Sequence, residues 1–308
     1  MAAISKSVIQ SGKAALVTGA ASGVGFAIAK LCRDKGMHLA LLDIDQDNLA
    51  KAKSVLVDIN PSLKTESYVI DVADLTAWKE TTSAIAKSLP AIDLVVLNAG
   101  KGYKPQEKEG PLKQWLDGEY WRKTFETNTF GPLNGLESLL PHLVASGSSP
   151  KSIVITGSKQ GITNPPGAGN PAYNASKSAI KNLTEHLAHD LRSNSALAHI
   201  SVHLLVPGWT WTGMMGNVGP TKEEEVKKPA GAWWPSQVAD ELLKGLENGS
   251  FYIICPDDDT DYALDQARMK WASDDVIENR APLSRWDEGW KTRAAEAIEA
   301  DAKTRRLN

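Results

Sequence analysis

Lys13-Ala-Ala-Leu-Val-Thr-Gly-Ala-Ala-Ser-Gly-Val-Gly25 is the stretch that decides the fold. Residues 13 to 18 form a short apolar run suited to a buried strand, and from Gly23 the positions Val24, Ile28, Ala29 and Leu31 follow a helical period. A strand that runs through glycines into a helix can turn tightly and bring its backbone close to a pyrophosphate, whose charge the helix N-terminus meets. The spacing is Gly-x-x-x-Gly-x-Gly, not the Gly-x-Gly-x-x-Gly of the common dinucleotide fingerprint. An ordinary glycine turn between strand and helix therefore stays open at this point.

Working outward, short apolar runs recur at 38–42, 67–70, 92–97, 152–156, 200–206 and 250–254, with helix-length segments between most of them. Such alternation implies parallel strands, right-handed crossovers and helices on both faces, a doubly wound α/β sheet of the Rossmann kind. No Pro/Gly/Ser-rich linker divides the chain, and no internal repeat appears. Residues 1–256 are expected to form the dinucleotide-binding domain, and 257–308 a helical extension packed on it.

The second strand, His38-Leu-Ala-Leu-Leu-Asp43, ends on an acid. An acid about 20 residues past the glycine loop accepts hydrogen bonds from an adenosine ribose and repels a 2′-phosphate. No Lys or Arg stands at Ser22 or just after Asp43, so NAD is favoured over NADP; a solvated strand-end acid, like Asp45 and Asp47, is the alternative. Further on, Tyr173-Asn-Ala-Ser-Lys177 puts a phenol and an ammonium on one helical face, where the charge favours the ionised phenol. That is proton-transfer machinery without histidine, or else the start of an amphipathic helix.

In this order the segments resemble the classical short-chain dehydrogenases/reductases over roughly residues 12 to 256. Thr18, Gly19, Ser22, Gly23, Val24 and Gly25 match that family's Thr-Gly-x-x-x-Gly-x-Gly coenzyme loop. Asp71 and Val72 resemble its adenine-contacting acid, and Asn98, Ala99 and Gly100 its Asn-Ala-Gly after the fourth strand. Asn128 stands where the family keeps a helix asparagine, and Ser158, Tyr173 and Lys177 complete its catalytic tetrad. Pro207 and Gly208, followed by Thr210 and Thr212, resemble the segment that holds the nicotinamide carboxamide.

The resemblance implies an NAD(P)-dependent oxidoreductase acting on secondary alcohols and ketones. Tyr173 would exchange the hydroxyl proton and Ser158 would hydrogen-bond the substrate oxygen. Lys177 would stabilise the phenolate and hold the nicotinamide ribose, and Asn128 would position a water joining Lys177 to solvent. The chain departs from the family at Lys159 and Gln160, where relatives often carry small or apolar residues, and in the Pro/Gly-rich loop 162–171, which delays Tyr173. Three other readings compete: an NADPH-preferring ketoreductase of a biosynthetic pathway, an epimerase or dehydratase that returns the hydride, and a non-catalytic nucleotide-sensing regulator. A pure binder needs no phenol beside its lysine, which argues against the last.

The formal charge of -3 leaves no basic footprint for nucleic acid, and Lys222-Glu-Glu-Glu-Val-Lys-Lys228 nearly neutralises itself. Met1-Ala-Ala-Ile-Ser-Lys6 has no long apolar core, and nowhere do about 18 apolar residues run together, so a soluble cytoplasmic protein free of membranes is expected. Cys32 and Cys255 read as small core residues, and His186 and His189, lacking a third ligand, as surface or packing residues, so no metal is expected. Asp257-Asp-Asp-Thr-Asp261 lacks the glycine and terminal Glu of a calcium loop and reads as a solvated turn.

Trp209, Trp211, Trp233 and Trp234 flank 213–230, where the family places its mobile lid, and Gly213, Gly216 and Gly219 offer hinges. These tryptophans suit a hydrophobic alcohol or ketone, or they pack the lid. Apolar stripes at 112–145, including Leu133, Leu136, Leu139 and Leu140, and at 172–192 predict a homodimer, with a homotetramer as the further option. In the tail, 263–273 and 286–300 are expected to be helical, with Trp271, Trp286 and Trp290 anchoring the chain to the body and 301–308 fraying. Such a tail either shapes the substrate entrance or covers apolar surface.

Overall fold

The computed structural model describes residues 8–106, 109, 110, 112–167 and 169–307; the first six residues, whose sequence lacks an apolar core, lie outside them. Strands β1 (Ala14–Thr18), β2 (His38–Asp43), β3 (Thr65–Val69), β4 (Leu94–Leu97), β5 (Lys151–Thr156), β6 (Ile200–Val206) and β7 (Tyr252–Ile254) form one parallel sheet in the order β3-β2-β1-β4-β5-β6-β7.

Alternate strand residues serve opposite faces. Ala15, Val17, Leu39, Leu41, Leu94 and Val96 join one core, which α1 (Gly23–Asp34), α2 (Gln46–Ile59) and α8 (Pro235–Glu247) cover. Ala14, Leu16, Ala40, Leu42, Val95 and Leu97 join the other, under α3 (Leu75–Ser88), α5 (Gly131–Ala145) and α7 (Pro171–Ser193). The sheet is doubly wound, as the strand and helix alternation predicts. Its winding reverses between β1 and β4, and in such sheets the crevice past the strand C-termini at that point receives the ligand.

Helix α4 (Gly118–Phe125) passes into α5 through a π turn, Glu126–Phe130, whose Asn128 is fully buried. Leu136 and Leu139 of α5 are buried against the sheet and Leu140 packs on the same core, so these three leave the expected dimer stripe; Leu133 remains 43% exposed and Phe130 46%.

Past β7, α9 (Tyr262–Ile277) and α10 (Lys291–Leu307) form an antiparallel hairpin, with Arg306 at the end of α10 paired to Asp261 at the start of α9. Alanines 263, 267, 294 and 302 let the helices close around Trp271 and Ile298. The Arg280 guanidinium lies 3.8 Å from the Trp271 ring centroid. The hairpin does not fray: α10 continues to Leu307, Ala302 is buried and Arg305 pairs with Asp301. Trp271 and Trp290 pack within the hairpin, and it is Trp286 that reaches the body, its Nε1 donating to Asn164 O at 2.8 Å. The acidic run does form a turn, with Asp258, Asp259 and Asp261 exposed, but Asp257 is partly buried against Lys159, Asp258 pairs with Lys228, and Asp261 caps α9 through Leu264 N.

Cys32 and Cys255 are buried, and burial pushes the Cys32 thiol up to about 12. His186 and His189 are exposed. Among the described residues no helix is long and apolar enough to cross a membrane, and no group of three His, Cys, Asp or Glu could hold a metal ion.

Candidate active site

Thr18, at the end of β1, is buried, and its Oγ1 accepts from Asn98 N at 2.9 Å and Ala99 N at 3.0 Å. Asn98 Nδ2 returns a bond to Thr18 O, so the tips of β1 and β4 are stitched together. The chain then turns through Gly19 and Gly23, both at positive φ. A Cβ on Gly25 would stand 2.1 Å from Gly19 O, which closes that position to any other residue. Ser22 caps α1 without a side-chain hydrogen bond, and the first turn, with Val24, holds no acid. The first amides of α1 are thus left to an anion, and the glycines let its oxygens approach. This cradle fits a dinucleotide pyrophosphate.

Gly19, Ser22, Gly23 and Val24 line a cleft of about 520 Å³ that runs over the β1–β4 reversal. One end carries Asp43, Ile44, Asp45, Asp71 and Val72, and no Lys or Arg lines it among the described residues. Asp43 is held from both sides, accepting from Ala21 N through Oδ2 at 2.9 Å and from Asp45 N through Oδ1 at 3.0 Å. The Asn48 amide bound to Asp45 keeps that carboxyl below the usual range.

The other end gathers Ala99, Gly100, Ser158, Tyr173, Lys177, Pro207, Gly208, Thr210 and Thr212. Helix α7 carries Tyr173 and Lys177 one turn apart on the same face. Lys177 is buried and its Nζ donates to Thr156 O at 2.7 Å; burial pushes its ammonium down to about 8. Burial also raises the Tyr173 phenol above the ordinary tyrosine value, and its hydrogen bond with Ser158 opposes this in part. The expected depression by Lys177 is not seen: the ammonium stands 5.8 Å from the ring centroid and is committed to Thr156.

Thr18, Gly25 and Asn128 do not line the cleft but support the residues that do. Asn128 Oδ1 accepts from Lys101 N at 2.8 Å, and its Nδ2 donates to Lys101 O and Ser176 Oγ. A Cβ on Gly100 would lie 3.3 Å from both Asn128 Oδ1 and Lys177 Nζ, so glycine there keeps the cleft floor open between them.

None of the four flanking tryptophans lines the cleft: Trp211 packs on Trp234 at 5.6 Å, Trp233 packs on the core, and Trp209 is 41% exposed. They clamp the two ends of segment 213–230 together instead, through Trp211 N to Trp233 O and Trp233 N to Trp209 O. The apolar wall comes from Tyr103, Met214 and Val218. Sequence reading also passed over Asn170, which caps α7 by accepting from Tyr173 N and Tyr120 Oη while donating to Tyr103 O. Its Asn-Pro signature, a cap residue followed by proline in the first helical turn, was available.

Residues 13–223 match the family model of the short chain dehydrogenases. The chain is 32% identical over 253 residues to the protein named SadH of Mycobacterium tuberculosis, covering 79% of this chain and 86% of that one. It is 32% identical over 238 residues to the NAD-dependent glycerol dehydrogenase of Listeria innocua, covering 74% and 84%. The crystal structure of a short chain dehydrogenase/reductase from Burkholderia phymatum in complex with NAD shares the fold, with a TM-score of 0.73 and 24% identity over 88% of this chain and 96% of that one.

Proposed function

The chain belongs to the short-chain dehydrogenase family, and from that premise we propose that it interconverts a hydrophobic secondary alcohol and its ketone with NAD(H). One observation carries the reading: Ser158, Tyr173 and Lys177 meet in the same cleft as the glycine cradle, with the Tyr173 phenol hydrogen-bonded to Ser158. When bound, the nicotinamide supplies the hydride acceptor or donor.

The protein's own groups handle the proton and the oxygen. Tyr173, kept protonated by burial, gives its proton to the substrate oxygen during reduction and takes it back during oxidation. Ser158 donates to that oxygen as charge develops on it. Lys177, released from Thr156 O or sharing its hydrogens with it, brings its ammonium to the ribose side of the cleft. Asn128 fixes the backbone at Lys101 that walls the site. At the opposite end, Asp43 and Asp71 favour a ribose hydroxyl and repel a phosphate. Gly19, Gly23 and Gly25 admit the pyrophosphate, and Asn98 to Gly100 with Pro207, Gly208, Thr210 and Thr212 hold the cofactor's remaining length. The apolar wall of Tyr103, Met214 and Val218 supports a hydrophobic substrate.

The test is a turnover screen of hydrophobic alcohols and ketones with all four nicotinamide forms, on wild type and Tyr173→Phe. The variant keeps the ring and should bind cofactor normally while losing about 10²–10⁴-fold in kcat. Near-normal turnover by Tyr173→Phe would remove the mechanism.

A further inference from the structure

Lys159, next to Ser158, has no part in the proton transfer, yet its side chain is only 11% exposed. Its Nζ stands 3.2 Å from Asp257 Oδ2 and 2.6 Å from Asp265 Oδ2, carboxylates whose own side chains are 10% and 4% exposed. Both acids lie past β7. Burying an ammonium between two carboxylates is expensive in desolvation and adds little net stability, but it fixes the three segments that contribute the charges.

Those segments converge on the catalytic end of the cleft. Ser158 Oγ accepts from Gln160 N at 3.2 Å and Ser158 O accepts from Gly161 N at 3.1 Å, so the serine's orientation depends on the short helix α6 (Gln160–Thr163) that Lys159 caps. Lys159 N donates to Pro207 O, and Asp257 Oδ2 accepts from Trp209 N at 3.2 Å. A Cβ on Gly208 would meet Asp257 Oδ2 at 2.5 Å and Lys159 Nζ at 2.7 Å. At the other end of α6 the tail makes a second attachment, Trp286 to Asn164 O.

We propose that Lys159 is a positioning residue for Ser158, locked by the carboxylates of Asp257 and Asp265 that the C-terminal segment supplies. This rests on the catalytic reading of Ser158. The tail then acts on the rate of the chemical step through α6, and not as a cover over the substrate entrance.

The experiment uses the full chain and steady-state kinetics with NADH and the best ketone from the screen. Lys159→Met and Asp265→Asn should lower kcat about 10- to 100-fold, the scale of a misplaced catalytic group, with the KM for NADH changed little. Asp265→Glu, which keeps the charge, should retain more turnover than Asp265→Asn. Adding Lys159→Met to Ser158→Ala should cost nothing further, because the lysine acts through the serine. Wild-type kcat in a folded Lys159→Met protein, or independent losses that multiply in the double variant, overturns the proposal while leaving Ser158 catalytic. Near-normal turnover of Ser158→Ala itself overturns the catalytic reading and this proposal with it. Should Lys159→Met fail to fold, equal kcat in Asp265→Asn and Asp265→Glu decides against the proposal.

Discussion

Replacing Lys177 by methionine should abolish activity and yet make the unliganded protein more stable at neutral pH. Burial lowers the Lys177 ammonium from 10.5 to about 8. At about 1.4 kcal/mol per pKa unit, holding the charge in the dry cleft costs the fold about 3 kcal/mol. Methionine removes that cost but forfeits the 2.7 Å bond to Thr156 O and leaves the carbonyl unpaired, a loss of about 1–2 kcal/mol. The net gain is about 1–2 kcal/mol. The pH dependence checks its origin. Below pH 8 the lysine is charged in both folded and unfolded states and the penalty is complete. Between about 8 and 10.5 the unfolded chain keeps a proton the folded one has released, so wild-type stability climbs by about 3 kcal/mol, reaching that of the variant and then passing it. Urea unfolding of both proteins from pH 7 to 10 measures this. A variant less stable than wild type at pH 7, or two pH curves that run parallel, would refute the reasoning.

Asp43→Ala should narrow the preference for NADH over NADPH in kcat/KM by about tenfold, the scale of one relieved charge contact; a wild type that prefers NADPH would show that Asp43 does not face the ribose. Gly161→Ala places a Cβ 2.5 Å from the Lys177 carbonyl carbon, and overpacking of that kind should cost about 1–3 kcal/mol in thermal melting and lower kcat together. An alanine variant unchanged in both would mean that α6 yields without moving α7. Light scattering at micromolar concentration should give a dimer that Leu133→Arg converts to monomer, since Leu133 of α5 and Phe130 at the end of the π turn before it are neighbouring exposed apolar residues; a monomeric wild type would contradict this.

The sheet was readable because strands buried on both faces are continuous apolar runs, and all seven expected runs start and end within about two residues of the strand observed. The weakest of these signals is at β3, an edge strand, Thr65-Glu-Ser-Tyr-Val69, with only Thr65 buried. The cleft's Ser158, Tyr173 and Lys177 were readable because one strand end and one helical turn bring them together, spacings a sequence states directly. The partners of Lys159 were not, because Asp257 lies 98 residues on and nothing local marks it. Leu136 and Leu133 look alike in the chain; only the sheet's position decides which is core. The tryptophans left both readings, substrate contact or packing, open for a similar reason, since pairing Trp211 with Trp234 needs the two ends of segment 213–230 to be brought together first. Nor could spacing reveal that Lys177 would donate to Thr156 O, with its ammonium left 5.8 Å from the Tyr173 ring centroid.

The π turn at Glu126–Phe130 makes the helix through Asn128 a counted object. Each α-helical residue advances the chain by about 100°, so a turn that is one residue wide of the α repeat resets the phase between the helix before it and the helix after it. Tyr120, upstream, must face Asn170 while Leu136 and Leu139, downstream, must face the sheet, and Asn128 must look at Lys101 between them. A regular α-helix of the same sequence could satisfy one of these alignments at the expense of another. Losing a single residue from the turn would preserve a helix and dismantle the site, and conservative side-chain replacements along α4 or α5 could not repair it.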